Sequence, residues 1–223
     1  ITTIKEQMSR MNPSRDQQIA DLSNIKWDLV IIGGGITGAG IMREAVRQNL
    51  KTLLIEQKDF AWGTSSRSGQ LVHGGLRYLG QGNIRLTYES VKERERLLKQ
   101  LPGLVEPQKM MMAIYKKKWL NRLIVRTALF IYDLMSRNFR KHTYPLSEII
   151  QQAPNIKSDL ISCGLLFYES LTDDARLVYR ILQEAMYEGG VALNYCKATK
   201  LLKRNGVVSG IQMKDLEKEK EYE

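Results

Sequence analysis

Histidine and cysteine are nearly absent from this chain: two of each occur in 223 residues. Cys163 and Cys196 are too few and too far apart for a disulfide framework, and their spacing suits no metal. They read as reduced, structural residues of a protein on the cytosolic side. With only His73 and His142 to draw on, no histidine-built metal centre is expected. No run of about 20 apolar residues occurs, so no helix is expected to span a membrane. No secretory leader follows Ile1, and the chain reads as trimmed at that end.

What is present is an ordinary globular balance, 43% hydrophobic and 26% charged, which excludes bulk disorder and fibrous repeats. Lysine and arginine exceed aspartate and glutamate, leaving a formal charge of +10. Such an excess needs an acidic counterpart: nucleic acid, anionic lipid or a phosphorylated substrate.

The polar residues 1–24 read as an N-terminal extension outside the main fold, with Ser14 placed to cap a short helix through Leu22. From Trp27 to Ile32 the chain is apolar and β-branched, the mark of a buried parallel strand. Ile36 to Asn49 has helical spacing, and Lys51 to Glu56 is a second buried strand, which completes a βαβ unit. Gly63 to Gly82 reads as a long loop, and loops of that length inside a domain are usually functional. Helices are predicted over 84–101 and 173–189, the second capped by Asp173, with an Asp174–Arg176 ion pair as the alternative use of these acids. Ala192 to Leu202 and Val207 to Met213 read as strands joined by a hairpin at Asn205-Gly206, with a third strand starting near Glu219.

Between the first strand and helix lies Gly33-x-Gly35-x-x-Gly38. Here the glycines serve a tight turn, a close approach of backbone to a pyrophosphate, and close helix–strand packing. The helix N-terminus adds free N–H groups and a partial positive charge. Glu56 ends the second strand, 23 residues after Gly33. A carboxylate there accepts hydrogen bonds from both hydroxyls of an adenosine ribose and repels a 2′-phosphate. FAD and NAD suit this frame equally; NADP does not.

Further on, Thr64, Ser65 and Ser66 offer hydroxyls to phosphate or ribityl oxygens. In Leu71-Val72-His73-Gly74-Gly75-Leu76-Arg77-Tyr78-Leu79, the glycine pair lets a flat ring lie against backbone. Arg77 can grip a phosphate bidentately, and His73 can move a proton near neutrality. An irregular surface loop with a solvated arginine is the plain alternative.

Taken together, the glycine-rich turn, Gly63-Thr64-Ser65-Ser66-Arg67-Ser68, the His73–Leu79 run, Tyr168-Glu169-Ser170 and Asp173-Asp174-Ala175-Arg176-Leu177 resemble the FAD-dependent glycerol-3-phosphate dehydrogenases. The likeness runs in order from about Trp27 onward. It implies an α/β chain: a Rossmann-like FAD-binding domain from 25–83 and 171–223, and an inserted cap or substrate region over 84–170. It also implies oxidation of sn-glycerol 3-phosphate to dihydroxyacetone phosphate by hydride transfer to FAD. Electrons would pass to a membrane quinone, or to dioxygen in an oxidase. Gly33, Gly35, Gly38 and Glu56 would hold the ADP half of FAD. Thr64, Ser65, Ser66 and Leu71 would line the path to the flavin, His73 would stand beside it, and Arg77 would bind substrate phosphate. His73 and Arg77 are thus the catalytic candidates.

Two departures accompany the likeness. Gln70 stands where the family usually has lysine. Family members are also longer, with later segments that complete the flavin and substrate sites, so the chain is expected to be an N-terminal fragment, incomplete at its C-terminus and inactive alone. A homodimer is left open.

Residues 116–142 combine basic and apolar character. On a helical wheel Arg122, Arg126, Asp133 and Arg137 share a narrow face; Trp119, Leu120, Leu123, Ile124, Phe130, Ile131, Leu134 and Met135 share the broad opposite one. Three readings stand: a core-facing helix with a solvated basic edge, an interfacial helix on anionic lipid with Trp119 and Tyr132 at the headgroups, and nucleic-acid binding. No nucleic-acid motif accompanies the last, so none is expected as a partner. The resemblance favours the second and implies a peripheral protein on the inner, cytoplasmic face of a membrane. A basic lipid-binding module without turnover is the non-enzymatic rival.

Overall fold

A βαβ unit opens the fold: β1 (Leu29–Ile32), α1 (Ile36–Arg47) and β2 (Thr52–Ile55). The computed structural model describes residues 15, 19, 22, 24–116, 119–136 and 143–223, the side chains of 119–122 excepted. The described residues divide into two compact units, Ile1–Arg67 with Asp174–Glu223, and Ser68–Asp173.

In the first unit β1 and β7 (Val191–Leu193) flank β2, all parallel. Every residue of β2 is buried because both faces of the sheet are covered, which is why it reads as a continuous apolar run. On one face Ile31 and Leu54 pack with Met42 and Val46 of α1 and with Val178 and Leu182 of α6 (Asp174–Tyr187). On the other, Leu53, Ile55 and Leu193 meet Ile19, Leu22, Cys196 and Met213.

Ile19 and Leu22 are therefore core residues; Ser14 and the rest of the first 23 residues, Arg15 apart, lie outside the described residues. Arg15 reinforces the docking: its guanidinium donates to the Asn194 carbonyl at 2.7 Å and pairs with buried Asp215 at 3.1 Å. The sequence offered little sign of this, because two apolar residues three apart in a polar stretch look like noise.

The strand expected over 192–202 is two strands. β7 ends at Leu193. Tyr195 turns the chain with φ 53°, and β8 (Cys196–Arg204) then enters an antiparallel meander with β9 (Val207–Asp215) and β10 (Lys220–Tyr222). Asn205 (φ 52°) and Gly206 (φ 80°) form the hairpin turn between β8 and β9 where it was predicted.

The second unit is built on an antiparallel sheet. Its central strand, β6 (Ile161–Thr172), pairs with β4 (Val105–Tyr115) on one side. On the other it pairs with two short strands, β3 (Leu71–Val72) and β5 (Thr143–Tyr144). The helices are α2 (Leu76–Gly80), α3 (Ile84–Gln100), α4 (Trp119–Ser136) and α5 (Leu146–Gln152). Its core joins Leu129 of α4 to Ile114, Cys163 and Leu165 of the sheet. The stretch 63–82 is not a continuous loop: it holds β3, α2 and a short 3-10 turn at Thr64–Ser66.

Helix α4 turns its faces in an unexpected sense. Leu123, Ile124, Phe130 and Leu134 are more than half exposed, whereas Leu129, Tyr132 and Asp133 are buried. Tyr132 is therefore a core residue and not a headgroup anchor. Trp119, Leu120 and Arg122 lie outside the described side chains, and Lys117, Lys118, Arg137, Arg140 and Lys141 outside the described residues.

Candidate functional site

The glycine-rich turn sits where parallel strands end and α1 begins. Gly33 takes φ 115°, a conformation that suits glycine, and its N–H donates to the Ile55 carbonyl at 2.8 Å, joining the turn to β2. Gly38 faces the Gly33 carbonyl so closely that a β-carbon has no room. This is the close helix–strand packing that the third glycine of the motif is predicted to allow.

Glu56 follows β2 directly. Its two carboxylate oxygens each accept a backbone N–H, from Gly34 and from Lys58, both at 2.8 Å. The carboxylate is half-buried and fixed in direction by these amides, with no ion pair to a cation among the described residues. Both oxygens keep lone pairs for a further donor, the requirement for binding ribose hydroxyls.

Ser65 reaches the same place from the next segment. Its hydroxyl accepts the Ile36 N–H at 3.0 Å, at the first turn of α1, which contains no acidic residue to neutralise the helix dipole. Thr64 and Ser66 flank it on the 3-10 turn, and Ser66 donates to the Trp62 carbonyl at 3.1 Å. Trp62 is half exposed, with the Arg67 guanidinium 4.3 Å and the Lys58 ammonium 5.2 Å from its ring centroid. Gly33, Gly35, Gly38, Glu56 and Ser65 are thus gathered around one helix N-terminus with oriented amides, a fixed carboxylate and a hydroxyl. These groups fit an adenosine diphosphate moiety: amides and hydroxyl toward phosphate, carboxylate toward ribose.

The remaining candidates lie in the second unit. Leu71 pairs with Leu171 in the sheet. Gln70, at φ 57°, accepts the Thr172 N–H through its carbonyl at 2.9 Å, so its backbone contributes to the strand pairing while its side chain is exposed. His73 and Arg77 are exposed, and Arg77 is carried on the short helix α2.

Behind His73 lies a buried polar cluster that sequence reasoning did not find. The Gly74 N–H donates to Glu169 Oε2 at 2.6 Å. Arg94, 4% exposed, donates from one guanidinium nitrogen to the Tyr132 hydroxyl at 2.6 Å and to the Tyr168 carbonyl at 2.8 Å, and pairs with Glu95 at 2.6 Å. Burial pushes the Glu169 carboxyl above the ordinary range, while the Gly74 amide, Arg94, His73 and Tyr132 pull it back. Arg94 lies in a run of alternating acids and bases that looks like a solvated helix face, so nothing local marks it as buried.

Comparison with known proteins fits this geometry. Residues 28–222 match the family described as FAD dependent oxidoreductase. The aerobic glycerol-3-phosphate dehydrogenase of Bacillus subtilis is 36% identical over 211 residues, covering 93% of this chain and 38% of that protein. The protein of the same name from Staphylococcus haemolyticus is 37% identical over 200 residues, covering 88% of this chain and 36% of its own length. Among solved structures, the glycerol-3-phosphate dehydrogenase from Bacillus halodurans complexed with FAD superposes with a TM-score of 0.72 at 31% identity. That superposition covers 93% of this chain and 34% of the other. The chain therefore spans little more than a third of the length of the curated relatives it matches.

Proposed function

The chain belongs to the FAD-dependent oxidoreductase family, and from that premise we propose that it is the FAD-binding part of an enzyme that oxidises sn-glycerol 3-phosphate to dihydroxyacetone phosphate. The observation that carries the reading is the Gly33–Gly38 turn with the Glu56 carboxylate oriented by two amides beside it. In functional terms the FAD-binding domain comprises 25–83 and 171–223, and 84–170 serve as the cap or substrate region.

When bound, FAD supplies the two-electron acceptor. Everything else falls to the protein. Gly33, Gly35 and Gly38 let the α1 N-terminus approach the pyrophosphate. Glu56 orients the ribose and excludes a 2′-phosphate. Ser65, with Thr64 and Ser66, supplies hydroxyls along the phosphate path, and Leu71 is assigned to the flavin by its place in the signature run. His73 takes the proton released from the substrate hydroxyl as C2 is oxidised. Arg77, exposed and without an ion pair or hydrogen bond among the described residues, holds the substrate phosphate through a charge-assisted contact.

We further propose a quinone as the electron acceptor and the inner, cytoplasmic membrane face as the location. The support is α4, whose Leu123, Ile124, Phe130 and Leu134 form an exposed apolar stripe in a segment rich in arginine and lysine. No helix among the described residues is long and apolar enough to cross a membrane, so attachment would be lateral.

The test is anaerobic. The chain is incubated with FAD, passed through a desalting column and mixed with sn-glycerol 3-phosphate. Retained flavin absorption supports the cofactor site, and bleaching on substrate supports the reaction. Retention without bleaching confines this chain to binding. Loss of all flavin on the column removes the reading.

A further inference from the structure

The two signature segments of the second unit, His73-Gly74 and Tyr168-Glu169-Ser170, are not merely neighbours. β3 pairs with β6 at Val72↔Ser170. Immediately beyond that pair the ladder stops, and the next amide, Gly74 N–H, is taken by the Glu169 side chain. A carboxylate thus continues the sheet by one hydrogen bond where the chain leaves it, at the residue following His73.

That carboxylate is itself backed. Glu169 is 5% exposed, and Tyr132 lies near enough to favour its charged form. Tyr132 accepts a hydrogen bond from Arg94, and Arg94 also grips the Tyr168 carbonyl, one residue before Glu169. Gly74 completes the closure. A β-carbon there would collide with the Tyr132 hydroxyl and lie 2.7 Å from the Arg94 guanidinium. Glycine at 74 is thus required by the cluster behind it: the His73–Gly74 backbone lies directly on the Arg94–Tyr132 pair.

We propose that Glu169, braced by Arg94 and Tyr132, is a positioning residue that fixes the His73-Gly74 backbone and so aims His73 for its part in the oxidation. The role of His73 rests on the function proposed above; the clamp on Gly74 stands on geometry alone. Glu169 is buried, and the role assigned to it is not a contact with substrate. Its contribution is to hold one amide, and through it the direction of the preceding side chain.

The test uses the isotopically labelled chain and three variants. Glu169→Gln keeps an oxygen acceptor of the same reach, Glu169→Leu removes it, and Tyr132→Phe removes the brace while keeping the ring. The readouts are the Gly74 amide proton shift, its solvent exchange, the His73 ring resonances and the affinity for added FAD. In the parent chain the Gly74 proton is expected far downfield, as a short bond to a carboxylate demands. Glu169→Leu is expected to move it upfield, to speed its exchange about tenfold and to shift the His73 resonances, with Glu169→Gln restoring most of each change. Tyr132→Phe gives a smaller change of the same sign, and it carries the test if Glu169→Leu does not fold. An unmoved Gly74 proton in the folded Leu and Phe variants overturns the clamp. A moved Gly74 with unmoved His73 resonances overturns the positioning role. Should Gly74 and His73 respond as expected while the parent chain takes up no FAD, the clamp stands and the flavin reading falls.

Discussion

Gly38 lies with its α-carbon directly against the carbonyl oxygen of Gly33. The contact sets how closely α1 can approach β1, and so where the helix N-terminus points its amides. Gly38→Ala is expected to force the turn open, costing about 1–3 kcal/mol as an overpacked site. Urea denaturation should show the loss, and FAD retention should fall with it. An alanine variant of wild-type stability would mean the turn is looser than this.

Glu56→Ala removes the shared acceptor of the Gly34 and Lys58 amides. The expected cost is about 1–3 kcal/mol of stability for the two donors left unpaired. FAD affinity should drop roughly tenfold or more, since one ribose contact of about 1.4 kcal/mol is a decade in the dissociation constant. Glu56→Gln keeps an oxygen acceptor and should lose less stability. Calorimetric titration with FAD separates the two effects.

Arg15→Ala tests whether the N-terminal stretch belongs to the fold. It would strand the fully buried Asp215, leaving it the Glu217 amide at 3.1 Å. Because Arg15 is partly open to water, the expected loss is about 2–3 kcal/mol, below that of a wholly buried pair. Thermal unfolding of the variant measures it; a shift within error would place Arg15 among surface residues.

Stability should fall in two successive steps as pH rises, each set by buried acids whose folded values are raised. Burial raises the Glu169 carboxyl above its ordinary 4.5 in the folded chain, against the pull of the Gly74 amide, Arg94, His73 and Tyr132. The folded state therefore holds that proton when the unfolded state has released it. Stability contributed by protonated Glu169 is complete below 4.5 and lost as pH rises through the raised folded value. Burial likewise raises Cys196 above 9.0 and Tyr132 above its usual range, so stability should fall again once pH passes about 9. Denaturation series from pH 4 to 10 should show both slopes, and Glu169→Gln should flatten the first alone.

The exposed stripe of α4 predicts membrane binding. Leu123→Ser and Leu134→Ser together should weaken association with anionic vesicles by at least about tenfold, since each apolar side chain contributes on the order of 1.5 kcal/mol or more when buried in lipid. Folding stability should change by no more than about 0.5 kcal/mol, because both side chains are exposed. Vesicle sedimentation reads the first and urea denaturation the second. Undiminished sedimentation would remove the stripe as the contact.

Much of the first unit was legible because its signals are local. A strand, three glycines at fixed spacing, a helix and an acid at the next strand end lie within about thirty residues, the span of one βαβ unit. The Asn205-Gly206 turn was legible for the same reason. The second unit was harder. Strands β4 and β6 are long, but β4 has most of its residues exposed or half-exposed and shows no clean alternation. Its pairing with β6 joins Val105 to Thr172 across a long loop of sequence, which no short window reports.

The amphipathic helix shows where the boundary lies. Periodicity established which residues of α4 share a face, since that follows from 3.6 residues per turn. Which face turns inward depends on what waits there, and here Arg94 and Glu169 hold Tyr132 in the interior while Leu123 and Phe130 stay outside. The family, the nucleotide-binding turn and the two signature segments could be read from the residues alone, because each is a local pattern of residue types. That Glu169 closes on Gly74 and that Arg94 is buried behind it could come only from the packed molecule. Those are contacts between residues 95 and 74 positions apart, and they form only once the sheet and helices of the second unit have packed.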